Sequence, residues 1–152
     1  LYEVRRIIYD LRPMALDDLG LVPTLRKYLQ TIEEYHNHSR IEFINKGLES
    51  RLPPKYEVAL FRMIQESVQN ALKHANACEI SVSLEMTKSS ITVVVKDNGI
   101  GFDVNKKNPE SFGIIGMRER VELLKGSMDI KTKKGVGTTV MFKIPYPDNQ
   151  SK

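Results

Sequence analysis

The segment QESVQNALKHA, at residues 65–75, decides the fold because it forms the second half of an amphipathic helix. We expect this helix to run from about residue 55 to residue 77. At about 100° per residue, its side chains separate into an apolar sector and a polar sector on roughly opposite sides. The apolar sector holds Phe61, Ile64, Val68 and Leu72, and the polar sector holds Glu66, Asn70, Lys73 and His74. One face therefore packs on a core, and the other carries chemically active groups.

The polar face of this helix has the composition of a site for a metal ion and phosphates. The amide oxygen of Asn70 and the carboxylate of Glu66 suit a hard cation such as Mg²⁺, which also takes phosphate oxygens and waters. Lys73 and His74 offer cationic or hydrogen-bond donor groups to phosphates. An ordinary solvated helix face has a similar composition, so this segment alone leaves both interpretations open.

The second motif, DNGIGF at residues 97–102, directly follows an apolar strand that reaches Val95. Asp97 places a carboxylate at the strand end, where it can accept a hydrogen bond from an amino group such as that of adenine. Gly99 and Gly101 permit a tight turn and a close approach of the backbone to a ligand. The motif is not a dinucleotide-binding fingerprint, because it lacks that motif's glycine spacing. It is not a P-loop, because no Gly-Lys-Ser/Thr follows it.

Two further glycine motifs follow, GIIGMRER at residues 113–120 and GVGTT at residues 135–139. The first leads into a helix, whose free backbone amides bind anions readily. The second enters a strand through a hairpin turn. A helix start with a flexible approach and a simple hairpin turn also explain these motifs, so neither is specific by itself.

Strands and helices alternate irregularly around these motifs. The periodicity predicts further helices at about 18–37 and 114–125, the latter ending near Gly126. Apolar alternation predicts strands at 40–45, 79–86, 91–97, 127–132 and 138–144. Because the last strands form hairpins, we expect an α+β fold: a two-layer sandwich whose mixed, mostly antiparallel sheet is covered on one face by helices.

The N-terminal segment, residues 1–12, is a further predicted helix with a narrow apolar stripe. The stripe consists of Leu1, Val4, Ile8 and Leu11, a spacing typical of a coiled-coil or bundle seam. Pro13 ends or bends this helix. We expect the sequence to be a fragment that begins inside a helix.

Length and composition exclude several classes of protein. The chain has 152 residues, 41% hydrophobic and 28% charged, which suits one globular domain and excludes disordered and collagen-like chains. Its one cysteine, Cys78, cannot form a disulfide within the chain, which favours a reducing, cytoplasmic location. No apolar run approaches the roughly 18 residues of a membrane span, so we expect no membrane contact by this segment.

The formal net charge of +4 and the pI of about 9.1 raise the question of nucleic acid binding. The cations are dispersed, however, with short doublets at Arg5-Arg6, Lys106-Lys107 and Lys133-Lys134. No basic stretch is interleaved with aromatic residues. We therefore expect a solvated surface and no nucleic acid partner.

Together, the order and spacing of these motifs resemble the GHKL superfamily of ATP-binding domains. QESVQNALKHA resembles the N box of this family, and the segments at 97–102, 113–120 and 135–139 resemble its three glycine boxes. LRPMALDDLGL, at residues 11–21, resembles the junction between dimerisation helices and catalytic domain in sensor histidine kinases that pair with NarL-type response regulators. The resemblance covers about residues 5–144 and implies the Bergerat fold.

The resemblance implies roles for residues at the phosphate side of an ATP site. Asn70 would coordinate the Mg²⁺ bound to the ATP phosphates, and Glu66 would lie near the metal or its waters. These two are the implied catalytic residues. Lys73 and His74 would lie close to the phosphates, since phosphoryl transfer depends mainly on positioning and charge neutralisation.

At the base side, the resemblance implies that Asp97 holds the adenine amino group. Gly99 and Gly101 would shape the base pocket, and Thr138 would support it from the last hairpin.

A lid over the ATP is also implied, at residues 102–116. Gly113 and Gly116 would be its closing hinge. The polar run at residues 105–111 suits a segment that moves when the site is empty.

The family's domain plan implies three parts. Residues 1–16 would be the remnant of the second dimerisation helix and its linker, residues 17–146 the ATP-binding catalytic domain, and residues 147–152 a disordered tail. The three histidines, His36, His38 and His74, lie outside any phosphoacceptor motif. The family places the phosphorylated histidine in a helix upstream of the first residue.

The implied function is that of a protein histidine kinase in a two-component signal transduction system, reduced to its catalytic domain. Such a domain would bind ATP and Mg²⁺ without phosphorylating itself. The intact protein would be a homodimer that transfers the γ-phosphate to its own histidine, and from there to a NarL-type response regulator.

Other functions fit the same fold. A gyrase, chaperone or mismatch-repair ATPase shares the glycine boxes, but the Lys73-His74 pair and the 11–21 motif argue against it. The same motif argues against an anti-sigma-type serine kinase. A nucleotide-binding interaction module would have a degenerate site, whereas Asn70, Asp97 and the glycines are all present.

Overall fold

Residues 14–73, 75–101 and 113–146 are described by a computed structural model, in which helices pack on a five-stranded sheet. The elements in chain order are α1 (Met14–Leu19), α2 (Leu21–Tyr35), β1 (Arg40–Lys46), α3 (Pro54–Lys73), β2 (Glu79–Met86), β3 (Ser90–Asp97), α4 (Ile114–Leu123), β4 (Ser127–Lys133) and β5 (Gly137–Pro145). All the predicted strands are confirmed, with ends that differ by one residue at most.

The sheet has the strand order β1-β2-β3-β5-β4, with β1 parallel to β2 and the other neighbours antiparallel. Side chains alternate along the central strands, so that Val82 of β2, Val93 of β3 and Phe142 of β5 are fully buried on one face. Helices α2, α3 and α4 contact the sheet. This arrangement confirms the predicted α+β sandwich with its mixed, mostly antiparallel sheet.

The centre of the core comes from α3, as its apolar periodicity predicts. Phe61, Ile64 and Val68 are at most 1% exposed, and Leu72 is half-buried. The Phe61 ring meets the ring of Tyr28 edge to face, with 5.3 Å between the centroids. Burial of each such large side chain contributes about 1.5–3 kcal/mol. The helix is therefore fixed on the sheet, and its polar face is held in a defined position.

The helix predicted for about residues 18–37 is confirmed as α2, but it begins later than predicted, because a break at Gly20 separates it from α1. Gly20 has a φ of 93°. A β-carbon there would lie 2.6 Å from Cδ of Arg51, so the bend leaves room for that side chain. Pro23 falls in the first turn of α2, where no backbone N–H is required.

The helix predicted to reach residue 77 ends earlier, at Lys73 in the described part of the chain. Just beyond it, the amide of Ala75 donates to the carbonyl of Asn70 at 3.1 Å, a wider turn than an α-helix makes. Asn76 then adopts a left-handed conformation, with a φ of 50°. This left-handed residue stops the helix and turns the chain toward β2.

At the end of α4, the left-handed residue is Lys125, with a φ of 59°, and not the glycine that follows it. The amide of Gly126 donates to the carbonyl of Val121 at 2.9 Å. A β-carbon at Gly126 would lie 2.5 Å from the carbonyl oxygen of Lys143 on β5. The glycine marks the helix end correctly, but its function is to let the chain pass close to the sheet.

Several predicted features lie outside the described residues. They are the helix at 1–12, His74, the lid segment at 102–112 and the tail at 147–152. The domain boundaries after residues 16 and 146 stay predictions. Within the three described ranges, no helix is both long enough and apolar enough to cross a membrane.

Candidate functional site

Asp97 ends β3 with its side chain on the helix-covered face of the sheet, where it is 9% exposed. The amide of Gly99 donates to Oδ1 of Asp97 at 2.8 Å, and the amide of Thr138 also donates to this carboxylate. Burial raises the pKa of Asp97 above its ordinary value of 3.8, and the two amide hydrogen bonds partly oppose the rise. A carboxylate offers about four acceptor positions, so two amide donors do not exhaust it.

The loop that follows Asp97 is held on both sides by main-chain hydrogen bonds. The amide of Ile100 donates to the carbonyl of Ala75 at 2.8 Å, and the amide of Gly135 donates to the carbonyl of Ile100 at 2.7 Å. A β-carbon at Gly99 would overlap the carbonyl oxygen and the β-carbon of Ala75, so only glycine permits this approach. The end of α3, the loop and the last hairpin are thus joined into one unit.

A narrow cavity of about 10 Å³ lies beside Asp97, between the sheet and helices α3 and α4. Its lining includes Asn70, Asp97 and Thr138, three of the predicted site residues. Asp97 and Thr138 are cross-strand partners and therefore lie side by side. The rest of the lining is Ser67, Ala71, Ala75, Val95, Ile114, Met117, Ile130 and Val140. This volume holds about one water, so the cavity in this conformation does not accommodate a nucleotide base.

Glu66 contacts the segment that enters α4. Gly113, in a left-handed conformation with a φ of 65°, packs against the Glu66 side chain, and a β-carbon there would overlap its carboxyl group. Gly116 lies in the first turn of α4, and among the described atoms only Nη1 of Arg120, at 3.9 Å, lies near the position of its β-carbon. Of the two predicted hinge glycines, the fold requires Gly113 and leaves space at Gly116.

Lys73 lies at the exposed end of α3 and does not line the cavity. Its charge acts on His36, at the end of α2. Burial, then the neighbouring His38, then Lys73 lower the pKa of His36. His38 is exposed, whereas His36 is half-buried. The structure therefore places Lys73 apart from the group formed by the cavity-lining residues.

Sequence reasoning missed Thr132, on β4. It is the cross-strand partner of Thr138, and the two hydroxyl oxygens are 3.0 Å apart. Gly101 lies beside it, since a β-carbon at Gly101 would be 3.1 Å from Oγ1 of Thr132. A signal for this pair exists in the sequence, because a hairpin that turns at residues 134–136 places Thr132 opposite Thr138.

Two apolar residues of α4, Ile114 and Met117, were also not anticipated as cavity lining. Their spacing of three residues puts them on one face of the helix, which indicates burial but not a binding site.

The described residues contain no group of three or more His, Cys, Asp or Glu side chains that could cage a metal ion. Asn70 and Glu66 lie one turn apart on the same face of α3 and offer oxygen ligands. This donor set fits Mg²⁺, which takes one or two protein oxygens and completes its shell with phosphate oxygens and waters.

Residues 55–148 match the protein-family model described as histidine kinase-, DNA gyrase B-, and HSP90-like ATPase.

Two curated relatives are named signal transduction histidine-protein kinase/phosphatase DegS. The protein from Brevibacillus brevis is 54% identical over 145 residues, which cover 95% of this chain and 37% of that protein. The protein from Bacillus subtilis (strain 168) is 57% identical over 139 residues, which cover 88% of this chain and 36% of that protein. The sequence motifs predict a resemblance to DegS in particular, and these identities confirm it. The chain spans little more than a third of the length of either relative.

Among solved structures, the fold is similar to the histidine kinase domain of a blue-light activated histidine kinase from Erythrobacter litoralis EL346. The TM-score is 0.64 at 23% identity, over 80% of this chain and 58% of that one. The ATP-binding domain of PrrB from Mycobacterium tuberculosis gives a TM-score of 0.62 at 14% identity, over 78% of this chain and 88% of that one. At these identities the likeness concerns the fold alone, which agrees with the predicted one.

Proposed function

The chain belongs to the family of histidine kinase-, DNA gyrase B- and HSP90-like ATPases, and we propose that it is the catalytic domain of a two-component sensor histidine kinase. ATP is the ligand that membership of this family implies. One observation carries the assignment of the site: Asp97, Thr138 and Asn70, from three separate elements, line a single cavity between helices and sheet. The identity with DegS proteins, which is 54% over 95% of the chain for one relative and 57% over 88% for the other, supports kinase function in particular.

Asp97 binds the 6-amino group of adenine. Its carboxylate is buried, two main-chain amides fix its orientation, and it keeps acceptor positions for a ligand donor. A carboxylate can only accept, so the site favours the amino group of adenine over a carbonyl oxygen at the same position. Gly99 and Gly101 allow the loop to pass beside the base, and Thr138 supports the base from β5.

The phosphates lie along the polar face of α3. Asn70 coordinates a Mg²⁺ held by the phosphates, and Glu66 contacts the ion or its waters. When bound, this ion neutralises the negative charge that develops on the transferred phosphoryl group. The protein's part is to hold the phosphates in line, with oxygen ligands on a helix that is itself fixed by the core.

Two further groups complete the phosphate side. Lys73 and His74 donate to the phosphates, and the long flexible stem of Lys73 lets its ammonium reach from the helix end. Gly113 and Gly116 form the hinge of a lid at residues 102–116. Opening of this hinge moves the start of α4 and enlarges the cavity for the base.

In the intact protein, the γ-phosphoryl group leaves ADP and bonds to a nitrogen of a histidine on the dimerisation helices. The family places that histidine in a helix upstream of this sequence, and residues 1–16 correspond to the remnant of the second dimerisation helix and its linker. This domain by itself therefore binds ATP but does not phosphorylate itself. The intact protein is a homodimer that passes the phosphoryl group to a NarL-type response regulator similar to DegU.

Two rival functions on the same fold predict ATP binding without transfer to histidine. They are a nucleotide-binding interaction module and an anti-sigma-type serine kinase. The high identity to kinases named DegS disfavours both.

The deciding experiment is a calorimetric titration of this chain with a non-hydrolysable ATP analogue, with and without Mg²⁺, beside the Asp97→Asn variant. Binding that Mg²⁺ strengthens and that Asp97→Asn weakens would support the site. No binding at millimolar nucleotide would reject it. The kinase assignment is then tested by adding ATP and the dimerisation helices of the Bacillus subtilis relative, where transfer of labelled phosphate to those helices is the expected result.

A further inference from the structure

Asp97, Thr138 and Thr132 lie opposite one another on three neighbouring strands, β3, β5 and β4. Directly opposed residues of antiparallel strands project to the same face, so their side chains form one row on the helix-covered side. The row begins with the residue assigned to the adenine amino group. Thr132, at its far end, has no role in the site as proposed so far.

We propose that Thr132 is a positioning residue for the nucleotide base, which it serves by orienting the hydroxyl of Thr138. The inference rests on the proposed ATP site. The contact that carries it is the pair of hydroxyl oxygens, Oγ1 of Thr132 and Oγ1 of Thr138, at 3.0 Å. Each hydroxyl has one proton and two lone pairs, and only one proton can lie between the two oxygens.

The direction of this hydrogen bond decides what Thr138 offers to a ligand. When Thr132 donates, the proton of Thr138 is directed away from the pair and is available to an acceptor. Thr138 is 4% exposed, so bulk water does not compete for that proton. The contact is compatible with either hydroxyl as the donor, and the proposal is that Thr132 donates. In that direction of the hydrogen bond, the Thr138 hydroxyl is an oriented donor toward the ligand.

Adenine supplies the matching acceptor. Its N1 is a lone-pair acceptor on the ring atom next to the carbon that carries the 6-amino group. When Asp97 binds that amino group, N1 faces the next residue in the row, which is Thr138. An oriented Thr138 hydroxyl then donates to N1, directly or through one bridging water. Thr132 thereby adds recognition of N1 to recognition of the amino group.

The test uses substitutions that separate the hydroxyl from the shape of the side chain. Thr132→Val removes the hydroxyl and keeps the branched shape, and Thr132→Ser keeps the hydroxyl. Thr139→Val is the matched control, since Thr139 lies next to Thr138 on β5 and projects to the opposite face of the sheet. Each variant is titrated with ATP and with 1-deaza-ATP, which lacks N1, in the presence of Mg²⁺.

We expect Thr132→Val to weaken ATP binding about threefold to tenfold, the usual net effect of one hydrogen bond. Thr132→Ser and Thr139→Val should bind ATP as the wild type does. The decisive result is with 1-deaza-ATP, for which Thr132→Val and the wild type should have equal affinities. A merely structural role for Thr132 would weaken the binding of both nucleotides alike.

Unchanged ATP binding by Thr132→Val, or an equal loss with both nucleotides, would overturn the inference and leave the ATP site in place. Loss of Mg²⁺-dependent ATP binding by the wild type itself would instead reject the proposed function, and the inference with it. If Thr132→Val does not unfold cooperatively, Thr132→Ala replaces it in the same comparison.

Discussion

Arg51 and Glu57 form a two-pronged ion pair whose carboxylate is almost fully buried. Nε and Nη2 of Arg51 donate to Oε2 and Oε1 of Glu57, each at 3.0 Å, and the Glu57 side chain is 3% exposed. Nη2 also donates to the carbonyls of Leu16, at 3.3 Å, and Asp17, at 3.1 Å. One arginine thus fastens the end of α1 to the start of α3.

Removal of this arginine should therefore loosen α1. We expect Arg51→Ala to lower the free energy of unfolding more than Lys55→Ala, because it leaves the buried Glu57 carboxylate without its charged partner. Urea denaturation measures the loss, and hydrogen exchange of the α1 amides shows where it occurs. The double variant Arg51→Ala/Glu57→Gln should be more stable than Arg51→Ala alone, since a neutral amide is less costly to bury. If Arg51→Ala and Arg51→Ala/Glu57→Gln were equally stable, the unpaired Glu57 carboxylate would not be the cause of the loss.

Asp97→Asn should weaken ATP binding without impairing folding. We expect the variant to lose about 1–3 kcal/mol of ATP binding free energy, because it lacks the buried acceptor for the adenine amino group. The free protein should fold normally at neutral pH, since the substitution removes a charge that burial disfavours. Calorimetry and urea denaturation of the same preparation give both quantities. A variant that binds ATP like the wild type would exclude Asp97 from the base site.

The raised pKa of Asp97 also predicts a pH dependence. In the folded chain this carboxyl group binds its proton more tightly than in the unfolded chain, so its contribution to stability is full below its ordinary value of 3.8. That contribution is lost as pH rises through the raised pKa. The free energy of unfolding of the wild type, relative to that of Asp97→Asn, should therefore fall as pH rises from about 3.8 through the raised pKa of Asp97. Above that pKa the difference should be constant. Denaturation curves at a series of pH values from about 3.5 to 7 measure the difference.

ATP affinity should respond to pH in the opposite sense, because the proposed contact needs the ionised carboxylate. Acidification should weaken ATP binding at a pH above that at which an exposed aspartate titrates. Titrations over the same pH series, with Asp97→Asn as the insensitive control, test this prediction. An identical pH profile for both proteins would show that another group is responsible.

Asn70→Asp should harm Mg²⁺-dependent affinity and leave the fold intact. The added negative charge repels the phosphates that share the ion, and a net repulsion of roughly 1–1.4 kcal/mol, after the stronger attraction to Mg²⁺, corresponds to about a fivefold to tenfold loss. Gln69→Glu is the matched control, because it adds the same charge about 100° further round the helix. Equal affinities of Asn70→Asp and the wild type would place the metal elsewhere.

The two hinge glycines should respond differently to alanine. Gly116→Ala should raise the free energy of unfolding by about 0.5–1 kcal/mol, since it replaces a glycine inside a helix that has room for a methyl group. Gly113→Ala should lower it by about 1–2 kcal/mol, because alanine is strained at a φ of 65° and would overlap Glu66. If Gly116 serves the lid, Gly116→Ala gains stability but loses ATP affinity. If Gly116→Ala increased both the free energy of unfolding and the ATP affinity, Gly116 would not be part of the site.

Local periodicity was sufficient for the strands and for the two faces of α3, because both depend on burial of side chains a few residues apart. It failed at Gly20, where the break between α1 and α2 is set by Arg51, far along the chain. At the end of α4 the glycine predicted the helix boundary correctly, but it did not predict that the left-handed residue is Lys125, one position earlier. A backbone conformation that depends on contacts with residues far along the chain cannot be predicted from the local periodicity of the sequence.

In the candidate site, too, some features could be predicted from the sequence and others could not. Asp97, Asn70 and Thr138 come from three elements, and only the register of β3 with β5 and the packing of α3 bring them together. The family resemblance predicted this grouping, whereas spacing alone did not. The position of Lys73 near His36 followed from neither, because it depends on where the helix ends and how α2 lies beside it.

The main-chain bonds of Ile100 have a consequence for sequence variation. Its amide and its carbonyl join the end of α3 to the last hairpin, while its side chain is 58% exposed. Bonds of this kind are independent of side-chain identity, so they survive any substitution that keeps an N–H group, and proline alone removes one of them. Position 100 can therefore be substituted to carry a label or to contact a partner. Such a side chain would lie next to Gly99 and Gly101, and the loop that follows Asp97 would keep its position.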